Sequence, residues 1–238
     1  MTYAQQTLLD DLEKMRGFAT VPKPQDLYTW VQWEMARTHV AIIEFWLQVQ
    51  KQFRTTAPIE DAENFLGFAK QWVRTLELHH QIEEEIQFLH LNPPLDTSTS
   101  HDQHTALLTP LRVYHVYLES VSTGIEPWSA SKAETLAQAL LPILMHHFVE
   151  ELHMLDPERL CASSISADTL EAMRVSVATR AKEIADPTAD IPPLIMHNGG
   201  ALDWPPVPWV LSETFKMPME LYLPHKGWWK YAALPLNL

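Results

Sequence analysis

The stretch "LELHHQIEEEIQFLH", which runs from Leu76 to His90, places three histidines and four glutamates among apolar residues. A second stretch, "LMHHFVEELHML" from Leu144 to Leu155, repeats a pair of histidines followed four residues later by a pair of glutamates. Residues four apart lie on one face of an α-helix, one turn from each other. Each stretch therefore predicts a helix that presents a histidine and a glutamate side by side.

The rest of the chain is also typical of helices. It has 238 residues with only six glycines, 46% of its residues are hydrophobic, and the apolar residues recur at helical intervals. We predict an all-α fold with helices at residues 27–54, 59–91, 100–121 and 131–155, and a shorter one at 166–184. Pro110 and Pro142 fall inside the third and fourth helices, where we expect a kink or a break.

The C-terminal part has a different composition, so we divide the chain into a helical domain, residues 1–185, and an arm, residues 186–238. The arm holds nine of the eighteen prolines and four of the nine tryptophans. Tryptophan is rarely left fully exposed, and proline favours an extended backbone. We predict that the arm packs on the helices and closes one mouth of a metal pocket, the alternative being a purely structural strap or a dimer contact.

Composition also excludes several classes of function. A net charge of −13 repels phosphate backbones, which argues against nucleic-acid binding. Cys161 is the single cysteine, so the chain offers neither an internal disulfide nor a thiolate metal site. No apolar run is long enough for a membrane helix, and the start lacks a secretory pattern. We expect a cytoplasmic protein that does not bind membranes, whose oligomeric state the sequence leaves open.

The first histidine–glutamate stretch can be read in two registers. His79 and Glu83 continue an apolar line from Leu76, whereas His80 and Glu84 continue a more polar line. A helix face that continues an apolar stripe is the face that packs in the core. We therefore favour His79 and Glu83 as the inward pair.

The second stretch offers the same choice. His147 and Glu151 follow Leu144 on an apolar line, and the register of His146 and Glu150 is less apolar. We favour His147 and Glu151, by a smaller margin than in the first stretch.

Buried imidazoles and carboxylates are costly unless they are paired or bind a metal. His39 and His104 lie on the inward stripes of the first and third helices, which suggests one shared site. The predicted metal ligands are His39, His79, Glu83, His104, His147 and Glu151. Imidazole and carboxylate without thiolate suit two iron ions, with manganese or zinc as alternatives. Six protein ligands leave positions for water, dioxygen or a bridging oxide.

Other polar residues near these ligands are placed outside the shell. His80, Glu84, Glu85 and His146 are interpreted as solvated or as hydrogen-bond partners of the ligands. His101 lies one turn before His104 and is a further candidate. Whether His80, His101 or His146 joins the ligand shell stays open.

Four motifs, "THVAIIEFW", "HHQIEEEIQF", "DQHTALL" and "HHFVEEL", resemble the hemerythrin-like, or HHE cation-binding, domain in order and content. The resemblance covers residues 27–155 and is strongest to fungal hemerythrin-like proteins, which end in a Trp-rich tail. It implies an up-down four-helix bundle with an additional short helix and a Pro/Trp-rich C-terminal arm. By this resemblance His79 and Glu83, and His147 and Glu151, match ligands of the family.

The oxygen-carrying hemerythrins have a second histidine in the third helix, where this chain has Leu108. The loss of one imidazole ligand leaves an open coordination position on a metal, which favours activation of dioxygen over its reversible transport. We therefore expect a dioxygen-dependent non-haem diiron oxidoreductase, an oxidase or oxygenase acting on a small organic metabolite. The alternative is a non-catalytic sensor or store of iron or dioxygen, and a metal-free helical scaffold is a third possibility.

Overall fold

A computed structural model of the chain describes residues 3–201, 203–207 and 217–234, and every regular element among them is helical. The expected all-α class is thus confirmed for this part of the chain. The first half contains α1 (Tyr3–Ala19), α2 (Leu27–Lys51), α3 (Ala57–Glu60), α4 (Ala62–Ile82), a π-helical turn (Glu83–Gln87) and α5 (Phe88–Leu91). Next come α6 (Ser98–Ser122), α7 (Ala130–Met154), α8 (Pro157–Ala162) and α9 (Ala167–Ile184). The arm contains α10 (Ile191–Met196), α11 (Met219–Tyr222), a 3₁₀ turn (Leu223–His225) and α12 (Lys226–Trp229).

The helices predicted at 27–54, 100–121, 131–155 and 166–184 match α2, α6, α7 and α9 to within a few residues at their ends. The single helix predicted at 59–91 is divided into α3, α4, the π-helical turn and α5, and α1 was not predicted. Ser166 caps the start of α9, because its hydroxyl accepts a hydrogen bond from the Thr169 amide at 3.1 Å. None of the described helices is both long and apolar enough to span a bilayer.

The two internal prolines do not break their helices, since α6 runs through Pro110 and α7 through Pro142. A proline leaves the carbonyl four residues earlier without its amide partner. Those carbonyls belong to Ala106 and Gln138, which are both exposed. Water can satisfy them there, so the predicted break does not occur.

Contacts between Cα atoms divide the chain into two compact units. The first unit comprises Met1–Val40, Glu77–Leu108 and Leu141–Ala185, and the second comprises Ala41–Leu76, Thr109–Leu140 and Asp186–Leu238. The chain passes from one unit to the other within α2, α4, α6 and α7, and once more after α9, between residues 185 and 186. The predicted helical domain, residues 1–185, thus contributes segments to both units, whereas the predicted arm, residues 186–238, belongs to the second unit.

The first unit is held by hydrogen bonds between the side chains of α2 and distant backbone carbonyls. Gln32 Nε2 donates to the Leu152 carbonyl at 2.8 Å, and the Tyr28 hydroxyl donates to the Ile165 carbonyl at 2.9 Å. At the surface, Arg180 of α9 pairs with Glu85 at 2.7 Å. These bonds connect α2 to α7 and to the segment before α9, and they connect α9 to the π-helical turn.

The second unit has an aromatic core and holds the described part of the arm. Trp204 and Trp229 are buried there, which agrees with the prediction that the arm packs on the helices, whereas Trp209 lies outside the described residues. Trp228 lies so close to Gly67 that a Cβ at this glycine would overlap the indole ring. Lys230 and Tyr231 both contact the Asp61 carboxylate. The closing of a metal pocket by the arm remains a prediction.

Candidate metal centre

The six predicted ligands all lie in the first unit, where they form two groups of potential metal-ligand atoms. One group comprises His39, His79, Glu83 and Glu151, and the other comprises His80, Glu83, His104 and His147. Within each group the ligand atoms lie within 4.8 Å of one another. The groups share Glu83, so the cluster has seven residues and its two halves meet at one carboxylate.

The shared carboxylate directs its two oxygens to different histidines. Glu83 Oε1 lies 3.1 Å from His79 Nε2, and Glu83 Oε2 lies 3.4 Å from His104 Nε2. Glu151 has a similar place, with Oε2 3.3 Å from His39 Nε2 and 3.8 Å from His147 Nε2. Each carboxylate therefore reaches histidines of both groups, which is the arrangement that a bridging carboxylate needs.

A π-helical turn carries the shared glutamate. The Phe88 amide bonds to the Glu83 carbonyl five residues back, so the residues beyond the turn are displaced in phase from a regular α-helix. Phe88 is thereby stacked on His104, with 5.4 Å between ring centroids and 23° between ring planes. Single π turns within α-helices are frequent at functional sites. Periodicity in the sequence contains no signal for this turn.

Many polar atoms of the cluster are buried without a hydrogen-bond partner. They include both ring nitrogens of His39, the Nε2 atoms of His79 and His80, and both oxygens of Glu83 and of Glu151. Their short mutual distances lack hydrogen-bond geometry, so proximity alone does not satisfy them. Each such atom costs roughly 1–3 kcal/mol. Imidazole and carboxylate are the donors that iron, manganese and zinc accept, and a metal ion would satisfy the whole set.

The same burial shifts the pKa values of the ionisable side chains. Burial lowers the pKa of His39, His79 and His80 well below the usual value and lowers that of His147 to about 3. Burial also raises the pKa of the Glu83 and Glu151 carboxyls. The histidines are thus held neutral, which is the form that binds metals. A bound cation would favour the ionised form of both carboxyls.

Two histidines of the second group are oriented by side chains outside it. His104 Nδ1 lies 2.7 Å from Glu84 Oε1, and His147 Nδ1 lies 3.0 Å from Gln103 Oε1. Both acceptors favour the tautomer with the ring proton on Nδ1, which leaves Nε2 as the metal-binding nitrogen. The two Nε2 atoms are 3.0 Å apart. In that tautomer no hydrogen lies between them, and their convergence fits a common cation.

The first group is screened by an aromatic ring. Phe148 stacks on His39 with 3.8 Å between ring centroids and 9° between ring planes. His39, Glu151 and Phe148 are fully buried, and Glu83 is 2% exposed. Bulk water therefore has little access to these donors, which strengthens their interaction with a bound charge.

In α7 the structure agrees with the favoured register, because His147 and Glu151 are buried whereas His146 and Glu150 are exposed. In the first stretch it differs. His80, which the sequence placed outside the shell, lies in the second group. The polar line on which it stands gave no reason to include it.

Glu84, Glu85, His101 and His146 belong to neither group of donors. Glu84 bonds to His104 and also to His101, which is 63% exposed at its side chain. Glu85 pairs with Arg180 at the surface. Leu108 is 63% exposed.

The two groups together contain five imidazoles, one more than the predicted ligand set, because His80 belongs to the second group. The cluster can hold a metal ion on the strength of its donors, burial and convergence. No protein-family model matches the chain, and no curated protein or solved structure is significantly similar to it.

Proposed function

We propose that the protein binds two iron ions at this cluster and uses them to activate dioxygen for the oxidation or oxygenation of a small organic molecule. The proposal includes an up-down four-helix bundle of the hemerythrin-like kind, built from α2, α4, α6 and α7. One observation carries it. Glu83 belongs to both donor groups and turns one oxygen towards each, which supports a dinuclear site over two unrelated ones.

The donor count supports redox chemistry. Each group has four protein donors, which leaves positions for further ligands on an ion that prefers six. Two histidines with a carboxylate are the ligands of non-haem iron centres that react with dioxygen. Bound iron would pass electrons to dioxygen, and the organic substrate, which is oxidised in the reaction, would return electrons to the iron.

The side chains around the cluster have roles of their own. Glu84 and Gln103 fix the rings of His104 and His147 through their Nδ1 atoms, so that both Nε2 atoms face inward. Phe148 shields His39 from water. These contacts hold the donors in place before any ion binds, which reduces the cost of ordering them.

A second function is favoured by one observation. With His80 the cluster has five imidazoles and two carboxylates, and a fuller protein shell favours reversible binding over turnover. The alternative is therefore a non-catalytic sensor or store of iron or dioxygen. It predicts the same metal content as the enzyme and differs only in the reaction after dioxygen is admitted.

The first test is metal stoichiometry. The metal-free protein would be titrated with Fe(II) without oxygen, desalted and analysed for iron, with Mn(II) and Zn(II) in parallel. We expect two iron ions per chain and an absorption change when oxygen is admitted. A bound metal content near zero would end both functions, and saturation at one ion would remove the dinuclear site.

The second test separates the two functions. The iron-loaded protein would be given oxygen and a panel of phenolic and quinonoid compounds, and oxygen consumption and products would be measured. Sustained consumption with product formation supports the enzyme. A spectral change that reverses when oxygen is removed, without product, supports the sensor or store.

A further inference from the structure

Next to the metal cluster, the first unit contains an open cavity of about 380 Å³. Its lining residues come from two segments of that unit, 84–92 and 97–101. The volume lies in the range of small-molecule sites, roughly 300–1,000 Å³. One edge is formed by the π-helical turn and the short helix α5 after it. The feature that shapes the metal site therefore shapes this cavity as well.

One side of the cavity is apolar. Phe88 lies in its wall and also stacks on the ring of His104. Leu89 lies beside it and is 70% exposed. An aromatic ring next to an uncovered leucine favours a flat apolar ligand, because its burial would remove the leucine from water.

The other side is polar and is connected to the metal site. Glu84 Oε1 accepts from His104 Nδ1 at 2.7 Å, and Glu84 Oε2 lies 2.9 Å from His101 Nδ1. Each carboxylate oxygen can accept more than one hydrogen bond. Glu84 therefore retains acceptor capacity in the cavity wall, for a ligand that brings a hydroxyl donor.

We propose that this cavity binds a small phenol, with its ring against Phe88 and Leu89 and its hydroxyl donating to Glu84. A phenol unites the two properties that the walls require, a flat apolar ring and a single donor at its edge. The inference rests on the proposed function in that it names phenols as the substrate class of the metal centre. The link between cavity and centre is the hydrogen bond from His104 to Glu84.

The test is ligand binding, measured separately from iron. 4-Fluorophenol would be titrated with metal-free and zinc-loaded protein and followed by ¹⁹F NMR. We expect saturable binding with a dissociation constant on the order of 0.1–1 mM, which suits a ligand of about eight heavy atoms. 4-Fluoroanisole has the same ring without the donor, and we expect it to bind at least about tenfold more weakly.

Two surface variants locate the site. Leu89→Arg should weaken 4-fluorophenol binding about tenfold, because it removes the apolar wall. Ile59→Arg is the matched control in the second unit, since Ile59 is 71% exposed and Leu89 is 70% exposed. We expect Ile59→Arg to bind like the unchanged protein. Circular dichroism would verify that both variants are folded.

The outcomes separate this inference from the proposed function. Binding that Leu89→Arg does not change, or equal affinity for the anisole, would overturn the phenol site even in a protein that holds two iron ions. Leu89-dependent phenol binding in a protein that takes up no iron would support the cavity assignment and overturn the proposed function. Absence of 4-fluorophenol binding up to about 10 mM would also overturn the site.

Discussion

Two buried histidines, one in each unit, have similar burial and ring stacking but differ in their hydrogen-bond partners. His39 is fully buried and stacks on Phe148, and His197 is 1% exposed and stacks on Phe45, both with 9° between ring planes. The backbone satisfies His197, whose Nδ1 lies 2.8 Å from the Pro193 carbonyl and whose Nε2 accepts from an amide. Neither ring nitrogen of His39 has a hydrogen-bond partner. The hydrogen-bond partners therefore distinguish a structural histidine from a candidate ligand, which burial and stacking do not.

Unpaired atoms alone are not sufficient evidence for a metal site. In the second unit, Trp46 Nε1 and the Tyr114 hydroxyl are also buried without a partner. They belong to an aromatic cluster, and burial raises the pKa of Tyr114, which keeps its hydroxyl protonated. The first unit differs because its buried atoms without a hydrogen-bond partner include imidazole nitrogens and carboxylate oxygens that lie within 4.8 Å of one another.

The largest expected effect is at the shared carboxylate. Glu83→Ala should abolish the binding of both metal ions, because Glu83 belongs to both groups. Glu84→Ala should keep the ions and lower the affinity roughly 10–100-fold, because it removes only the hydrogen bond that orients His104. Metal content after dialysis against a weak chelator measures both. Equal losses of metal in the two variants would show that Glu83 contributes no more to metal binding than Glu84.

Removal of the metal should produce the next largest change. An ion present at about 100 times its dissociation constant stabilises the folded state by about 2.7 kcal/mol. For a chain of this size that corresponds to roughly 5–10 °C per ion in melting temperature. Calorimetry before and after chelation measures it. An unchanged melting curve after verified removal would show that the buried donors do not hold the ion.

Replacing one histidine of each kind with alanine tests the distinction between structural and metal-binding histidines. His197→Ala should cost about 2–4 kcal/mol of unfolding free energy, because it leaves a cavity and unpaired backbone groups, and it should leave metal content unchanged. His80→Ala should lower metal content and have little effect on the stability of the metal-free protein. Urea unfolding and metal analysis on both variants give the answer. A loss of metal in His197→Ala would contradict the assignment of His197 as a purely structural histidine.

The structural histidine should also give a pH dependence of its own. Burial lowers the pKa of His197 to about 4 in the folded protein, below the unfolded value of about 6.5. Its contribution to stability is therefore complete above pH 6.5 and is lost as the pH falls towards 4. Between pH 7 and pH 5 the loss is about 2 kcal/mol.

The measurement compares metal-free His197→Phe with the metal-free unchanged protein by urea unfolding at both pH values. The difference in unfolding free energy between the two proteins should shrink by about 2 kcal/mol at pH 5. The other buried histidines and the two glutamates are common to both proteins and cancel to first order. A difference that does not depend on pH would contradict the burial of this imidazole.

The smallest effect concerns the arm. Gly67→Ala should cost about 1–3 kcal/mol, because the new methyl group would overlap the Trp228 ring. Gly17→Ala is the matched control, since a Cβ there meets no atom within 4 Å and alanine favours a helix. Both variants should retain their metal. A loss of metal or turnover in Gly67→Ala alone would favour the arm as a lid over the arm as a strap.

Several features of this protein follow from the sequence alone, because they depend on local periodicity. Apolar spacing was sufficient to predict the four long helices and α9, and the four-residue interval paired His79 with Glu83 and His147 with Glu151. The helix α1 was accessible by the same means, since Leu12, Met15 and Ala19 follow one buried stripe. Such patterns can be recognised in a sequence because the helix face on which a residue lies depends only on its spacing from residues within one or two turns.

Only the tertiary structure decided which donors meet. His79 and His80 lie in α4 before the π turn, and the structure places one in each donor group. An assignment based on a single inward helix face must choose between them. The bond between Glu84 and His104 joins positions twenty residues apart, and the docking of Trp228 on Gly67 depends on a glycine far along the chain. Periodicity specifies which face of a helix is apolar. The partner of that face depends on packing between distant segments, which no local pattern encodes.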